Sequence, residues 1–278
     1  MEEKNKDNIM KIYFDCGLPR SGSTLLTAIL NQNPNIYAGT LSPVFELMYE
    51  TDRILKRNNV ALLFSKPKVF QEIVTNTMVN YYSDVKNEVV IDKCRAWPAH
   101  INILKKYVTD NPKLICTVRN PLDILASFIT LFHKDAGVNF TDKALIEQKI
   151  PITDDNRCHY LMNPEGIVWQ SMNALAIALK QNEKRHIHFI QYDDLVSNPK
   201  EVMNNLHSFI QLDSFNYRFD NIVAKDEDKN KRNDLEVYGL STMHKVRKSI
   251  SKISKPYTEV LSAEVINKYI NHDFWNHE

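Results

Sequence analysis

Four short apolar runs, separated by stretches with helical periodicity, constrain the fold of this 278-residue chain. Strands that alternate with helices pair in parallel, because each helix carries the chain back to the start of the next strand. The pattern therefore predicts a three-layer α/β/α fold with a central parallel sheet. The predicted strands cover residues 11–16, 88–92, 113–118 and 186–192, and the predicted helices cover residues 23–31, 44–56, 68–82, 98–107, 121–133 and 164–181.

The composition predicts one domain over residues 1–278. A hydrophobic content of 43% and a charged content of 25% are typical of a globular chain that can bury one sizeable core. Residues 135–163 are polar and weakly periodic, so we expect an insertion at the edge of the sheet or over a site. Residues 220–236 include the charge-dense sequence KDEDKNKRND, which favours a solvated, mobile loop, with a lid as the alternative.

Charge and cysteine content exclude several classes of protein. A net charge of +1 gives no overall field for nucleic acid or an anionic membrane, so neither is predicted as a partner. The four cysteines form no C-x-x-C pair, which argues against a zinc site and a disulfide scaffold. The charged N-terminus lacks the features of a secretory signal, and no apolar run approaches the ~18 residues of a membrane span. We therefore predict a cytoplasmic protein, with its oligomeric state open.

The sequence GLPRSGSTLL, residues 17–26, follows the first predicted strand and almost forms a phosphate-binding loop. A Walker A loop places a lysine where this chain has Ser23, and that lysine contacts the β- and γ-phosphates of a nucleotide. The backbone N–H groups and the dipole at the start of the following helix favour an anion. Gly22 allows close approach, and Arg20 is the one cation of the loop. Hydroxyl groups that could donate to the anion belong to Ser21, Ser23 and Thr24.

A second anion site is predicted at Arg119, which follows the third of these strands in the sequence TVRNPLDILASF. Asn120 to Asp123 fit an ordinary helix start, but a cation at the carboxyl end of a buried strand lies where α/β sheets bind ligands. Ser127 could share the anion that Arg119 binds. Two such sites suggest a ligand with phosphate groups at two positions.

Three motifs in order give the chain a resemblance to a known family. GLPRSGSTLLTAIL, TVRNPLDILASF and QYDDLVSNPKEVMNNLHSFI resemble motifs of sulfotransferases that use 3'-phosphoadenosine 5'-phosphosulfate (PAPS). The similarity covers about residues 11–212 and is close to tyrosylprotein sulfotransferases and related bacterial and phage enzymes. It implies a P-loop NTPase-like fold and in-line transfer of a sulfuryl group to a hydroxyl acceptor, with 3',5'-bisphosphorylated adenosine (PAP) as product and no metal.

The resemblance also implies which residues bind PAPS. Because this donor has no γ-phosphate, the Walker lysine has no role. Arg119 and Ser127 would hold the 3'-phosphate, and Tyr192 would lie near the adenine. Arg247 and Lys248, in the loosely matching segment STMHKVRKSI, would add to the 3'-phosphate site. The 5'-phosphosulfate would be held by Pro19, Arg20, Ser21, Gly22, Ser23 and Thr24.

For catalysis, the resemblance implies positive charge on the sulfuryl group from Arg20 and Lys93, and a hydroxyl from Ser241 near the same oxygens. The alternatives are a surface lysine that caps a strand and an ordinary loop serine. The segment that aligns with the catalytic base of the tyrosylprotein enzymes, AGTLSPV, has no carboxylate.

The nearest candidate base is therefore Glu46, for which we expect partial burial and a raised pKa. Its alternative role is that of an acid favoured by a helix dipole. His133 is the fallback base, because cytosolic relatives use a histidine.

Two other functions remain open. One is a P-loop kinase of a nucleoside or small metabolite, against which the missing Walker lysine counts. The other is a non-catalytic nucleotide-binding protein, which would bind the anions without a working base. The acceptor could be a tyrosine, a carbohydrate, a lipid or a small alcohol.

Overall fold

The fold is built on a five-stranded sheet in which every strand pair is parallel. This computed structural model describes residues 10–57, 66–251 and 255–276. The spatial order of the strands is β2-β3-β1-β4-β5. The strands are β1 (Lys11–Asp15), β2 (Ile36–Ala38), β3 (Val89–Lys93), β4 (Leu114–Val118) and β5 (Ile187–Gln191).

Helices cover both faces of this sheet, which confirms the predicted three-layer α/β fold. Successive strand residues point to opposite faces, so Val90 packs in one core while Val89 and Ile91 pack in the other. The α-helices are α1 (Ser23–Leu30), α2 (Val44–Lys56), α3 (Pro67–Tyr81), α4 (Ile101–Tyr107), α5 (Pro121–Phe132), α6 (Phe140–Glu147), α7 (Asp154–Leu161), α8 (Ile167–Lys180), α9 (Tyr192–Ser197), α10 (Pro199–Ile210), α11 (Glu227–Asn233) and α12 (Ala263–Tyr269).

The connections of β1 place a crevice at one edge of the sheet. The chain leaves β1 toward β2 and β3 on one side, and β4 and β5 follow on the other side. In open α/β sheets, ligands bind outside the carboxyl ends of the strands where the order reverses in this way. The loop after β1 and Arg119 after β4 both lie at this edge.

The four predicted strands agree with the observed ones to within one residue at each end. The short edge strand β2 was not predicted, because three residues carry too little periodicity. Two segments predicted as irregular are partly helical. Residues 135–163 contain α6 and α7, which are joined by a buried ion pair in which Arg157 donates to Asp142 at 2.7 and 2.8 Å.

Residues 220–236, predicted as a loop, contain α11 and the start of a π-helical turn, Asp234–Tyr238. Apolar periodicity could not reveal α11, because Asn230 is its one residue assigned as buried. Its acidic first turn and basic last turn instead complement the helix dipole. In the described parts of the chain, no helix has the length and apolar character needed to cross a membrane.

Candidate active site

The loop between β1 and α1 adopts the conformation expected of an anion-binding turn. Gly22 is the N-cap of α1 and has φ of 93°. Arg20 is also left-handed, with φ of 60°, which costs a residue with a Cβ about 1 kcal/mol. The first helical hydrogen bond runs from the Leu26 N–H to the Gly22 carbonyl at 2.9 Å. The preceding N–H groups, at Ser23 to Leu25, therefore lie outside the helical ladder.

Two glycines allow this loop to pack closely against the sheet and the residue that follows β5. A Cβ at Gly17 would lie 2.0 Å from Thr117 Oγ1, so no side chain fits there. A Cβ at Gly22 would lie 3.0 Å from the Tyr192 ring. The backbone of the loop is therefore fixed from two sides.

The Ser21 hydroxyl, predicted to donate to the anion, points into the protein instead. It is fully buried and contacts the Leu18 carbonyl at 2.5 Å and the Thr117 hydroxyl at 2.7 Å. Because its hydrogen-bonding capacity is used within the protein, this side chain supports the loop rather than facing a ligand.

Arg119 is a buried cation, with 5% of its surface exposed. Its guanidinium lies 4.3 Å from the centre of the Tyr192 ring, within the range of a cation–π contact. Its Nη1 donates to the Arg20 carbonyl at 3.2 Å. These contacts fix Arg119, Tyr192 and the loop relative to one another.

The Arg20 side chain connects three parts of the molecule. Its Nε donates to Ser127 Oγ on α5 at 3.1 Å, and its Nη1 donates to the Met243 carbonyl. Burial, together with the charge of Arg119, lowers the pKa of Arg20 to about 10, so it remains a cation at neutral pH. The loop, α5 and the C-terminal segment, residues 239–251, thereby meet at one side chain.

These parts enclose a cleft of about 320 Å³. Nine of the sequence-predicted residues line it: Pro19, Arg20, Gly22, Ser23, Thr24, Arg119, Ser127, Tyr192 and Arg247. Four cations that the sequence analysis did not select also line it: Arg95, Lys134, Lys245 and Lys255. Among the described residues that line the cleft, none is an aspartate or a glutamate. The electrostatic potential of this cleft therefore favours an anion with several charges.

Lys93 lies beside this cleft rather than in its lining. It ends β3 opposite Asp15 in β1, and its Nζ is 3.5 Å from Asp15 Oδ2. Burial lowers the pKa of Lys93, while the Asp15 carboxylate opposes that shift. The alternative of an exposed surface lysine is wrong, because only 11% of the side chain is exposed.

Neither predicted base lines the cleft. Glu46 is exposed in the first turn of α2, so the expected partial burial is wrong. His133 follows α5, has 56% of its side chain exposed, and contacts Asp154 at 2.9 Å. It forms a surface hydrogen bond to Asp154 in α7.

Two predicted residues of the C-terminal segment also point elsewhere. Ser241 donates through its N–H and its hydroxyl to Asp135, each at 3.0 Å. Lys248 is exposed, and its carbonyl accepts from the Ile222 N–H at 2.7 Å. Both residues stabilise the path of the segment rather than line the cleft.

The sequence analysis missed a histidine and aspartate pair at the cleft. His244 lines the cleft, and its Nδ1 contacts the carboxylate of Asp234, which is 2% exposed. Burial lowers the pKa of His244, with smaller contributions from Lys93 and Arg95, while Asp234 opposes the shift. No signal in the sequence marks this pair. Asp234 belongs to the charge-dense segment that was predicted as a loop, and no known motif places an aspartate ten residues before a histidine.

Comparisons with known proteins agree with the motifs. Among solved structures, a sulfotransferase domain from the curacin biosynthetic pathway is 18% identical over 74% of this chain and 75% of that chain, with a TM-score of 0.49. Sulfotransferase STF9 from Mycobacterium avium is 14% identical over 95% of this chain and 76% of that chain, with a TM-score of 0.49. Mouse sulfotransferase SULT7A1, solved with PAP, is 10% identical over 98% of this chain and 85% of that chain, also with a TM-score of 0.49.

Similarities this distant carry no argument about function, and no curated protein sequence matches the chain significantly. The family assignment comes instead from sequence. The family model described as "Sulfotransferase family" matches residues 14–216, which is well over half of the chain. The chain therefore belongs to the sulfotransferase family, as its three motifs predict.

Proposed function

We propose that the protein transfers a sulfuryl group from PAPS to a hydroxyl group of an acceptor and releases PAP. The observation that carries this proposal is the lining of the cleft. It combines the N-terminus of α1 with seven cations, Arg20, Arg95, Arg119, Lys134, Lys245, Arg247 and Lys255, and no acidic residue in the described lining. A donor with phosphate groups at both ends of its ribose suits this charge distribution.

Each part of PAPS has a group that could bind it. The N–H groups at the start of α1 and the Arg20 guanidinium suit the 5'-phosphosulfate. Arg119 and Ser127 are the proposed residues for the 3'-phosphate, with Arg247 approaching from the C-terminal segment. Tyr192 offers an aromatic ring in the lining of the cleft for the adenine.

The positive charges have a direct role in sulfuryl transfer. As the bond between sulfur and the leaving phosphate oxygen breaks, negative charge accumulates on that oxygen and must be stabilised. Arg20 and the α1 N-terminus are the proposed sources of this stabilisation, and Lys93 stays a proposed contributor at the edge of the site. Ser241, Lys248 and Glu46 are given no role in this proposal, because none of them lines the cleft. The cytoplasmic location remains a prediction.

Thermal unfolding with nucleotides tests the donor. A ligand that binds only the folded state at 100 times its dissociation constant stabilises that state by about 2.7 kcal/mol. We expect PAP to raise the unfolding temperature by several degrees, and ATP with magnesium or adenosine 5'-monophosphate to have little effect. Stabilisation by ATP with magnesium but not by PAP would overturn the proposal in favour of a kinase.

A labelled donor tests the transfer itself. We expect sulfur-35 from PAPS to appear in at least one member of an acceptor set that contains tyrosine peptides, sugars, sterols and short alcohols. A protein that binds PAP but transfers no label to these acceptors or to water would be a nucleotide-binding protein rather than an enzyme.

A further inference from the structure

The pair of His244 and Asp234 has the geometry of an oriented base. Asp234 holds His244 at two points, because one carboxylate oxygen contacts the ring Nδ1 and the other accepts from the His244 backbone N–H at 2.9 Å. The carboxylate is buried, and it belongs to the π-helical turn Asp234–Tyr238. A hydrogen on Nδ1 that is donated to this carboxylate leaves Nε2 as the nitrogen that can accept a proton.

His207, a histidine with a structural role, differs from His244 in its hydrogen bonds. Both ring nitrogens of His207 have protein partners, the Asp213 carbonyl at 2.5 Å and the Tyr217 hydroxyl at 2.8 Å. For His244, the residues that the structure describes supply a hydrogen-bond partner to Nδ1 and none to Nε2. A histidine fixed on one side and open on the other is the arrangement that general bases use.

Met243, the residue before His244, connects this histidine to the proposed sulfuryl site. Arg20, the cation of the phosphate-binding loop, donates through Nη1 to the carbonyl of Met243, which directly precedes His244. Both Arg20 and His244 line the cleft, and the charges of Lys93 and Arg95 reach His244 from the end of β3. The histidine therefore shares one cleft with the groups proposed to hold the donor.

We propose that His244 is the general base of the transfer reaction and that Asp234 is its positioning residue. His244 Nε2 takes the proton of the acceptor hydroxyl while the acceptor oxygen forms a bond to sulfur. The bond between sulfur and the 5'-phosphate oxygen breaks, and its electron pair leaves with PAP. The products are a sulfate ester, PAP and a protonated His244, which then returns its proton to water.

This inference rests on the proposed function and replaces Glu46 and His133 as the base. Glu46 is exposed on α2 and His133 is paired with Asp154, and neither lines the cleft. The charges around His244 also suit a base. Burial, Lys93 and Arg95 favour the neutral imidazole, whereas Asp234 favours the protonated form that results from the reaction.

The test compares His244→Gln and Asp234→Asn with Glu46→Gln as the matched control. Rates of PAP release from PAPS are measured with water and with a series of substituted phenols as acceptors. We expect His244→Gln to lower kcat about 100-fold or more and Asp234→Asn about 10-fold or more, since general base catalysis contributes 10²–10⁴-fold. Glu46→Gln should stay within about 2-fold of the wild type.

Two further readouts separate a base from a structural residue. The loss in His244→Gln should shrink as the phenol becomes more acidic, because a phenol that is already ionised needs no base. The kcat of the wild type should fall below an apparent pKa that lies under the ordinary histidine value. In Asp234→Asn the fall in kcat should occur at lower pH. The Asp234 carboxylate raises the pKa of His244, so its removal lets burial lower that pKa further.

Binding of PAP distinguishes failure of this inference from failure of the proposed function. Unchanged stabilisation by PAP in all three variants, with loss of turnover only in His244→Gln and Asp234→Asn, supports the inference. Unchanged turnover in His244→Gln, or a loss independent of phenol acidity, would overturn it. Absence of PAP binding to the wild type, or a wild type that binds PAP but releases none from PAPS, would instead overturn the proposed function.

Discussion

The two walls of the cleft differ in how firmly they are held. The N-terminal wall consists of residues 17–24 and Arg119, and its backbone is fixed by Gly17, by Gly22 and by hydrogen bonds to the sheet. The C-terminal wall is residues 239–251, where Arg247 is exposed and no residue belongs to a helix or a strand. Preorganised groups lose less entropy when a ligand binds, so we expect most of the donor affinity to come from the N-terminal wall.

The largest expected effect comes from Arg119→Ala in the N-terminal wall. This change removes a buried cation and its contact with Tyr192. Charge-assisted hydrogen bonds contribute about 1.5–3 kcal/mol, so affinity for PAP should fall on the order of 100-fold, as measured by calorimetry. Arg119→Lys should recover part of the affinity, and adenosine 5'-phosphosulfate, which lacks the 3'-phosphate, should lose little. An equal loss for both nucleotides would contradict the assignment of Arg119 to the 3'-phosphate.

An intermediate effect is expected from Gly22→Ala, which strains the same wall. The backbone at φ of 93° and the Tyr192 ring at 3.0 Å from the added Cβ both oppose a side chain. The change should lower the free energy of unfolding by about 1–2 kcal/mol and weaken PAP binding about 10-fold. Gly137→Ala is the matched control, because Gly137 has φ of 77° with open space around its Cβ. An equal loss of PAP affinity in the control would show that backbone strain alone explains the effect.

The smallest effect is expected from Arg247→Ala in the C-terminal wall. An exposed cation contributes modestly because water and salt screen it, so PAP affinity should fall only about 2- to 5-fold. The loss should diminish as the salt concentration rises. Lys248→Ala is the control, since Lys248 is exposed next to Arg247 but does not line the cleft. An effect of Arg247→Ala as large as that of Arg119→Ala would remove the distinction between the two walls.

Sequence predicted best the positions of residues that directly follow a strand. The phosphate-binding loop, Arg119 and Tyr192 each follow a predicted strand, and parallel strands bring their carboxyl ends to one edge. Nine predicted residues therefore meet in the cleft. Ser21 shows the limit of this reasoning. A serine in such a loop suggests a hydroxyl that donates to the ligand, but this hydroxyl forms its hydrogen bonds with Thr117 inside the protein.

The residues that sequence missed depend on how the chain folds around them, and no motif spacing marks them. Asp234 and His244 face each other because a helix and a π-helical turn form in a charge-dense stretch with little apolar periodicity. Arg95 stood two positions after Lys93 in the same motif, but only the structure places Arg95 in the cleft and Lys93 beside it. Glu46 was selected from its apolar neighbours, yet it lies on the exposed face of α2.

By itself, the sequence determined the parallel α/β architecture, the anion-binding loop without a Walker lysine and the sulfotransferase family. These follow from periodicity, glycine placement and the order of three motifs, all of which act over short stretches of chain. The tertiary structure decided which cations share the cleft and which histidine faces it. Those contacts join residues more than a hundred positions apart, such as Arg20 with Met243, and no local pattern encodes such a distance.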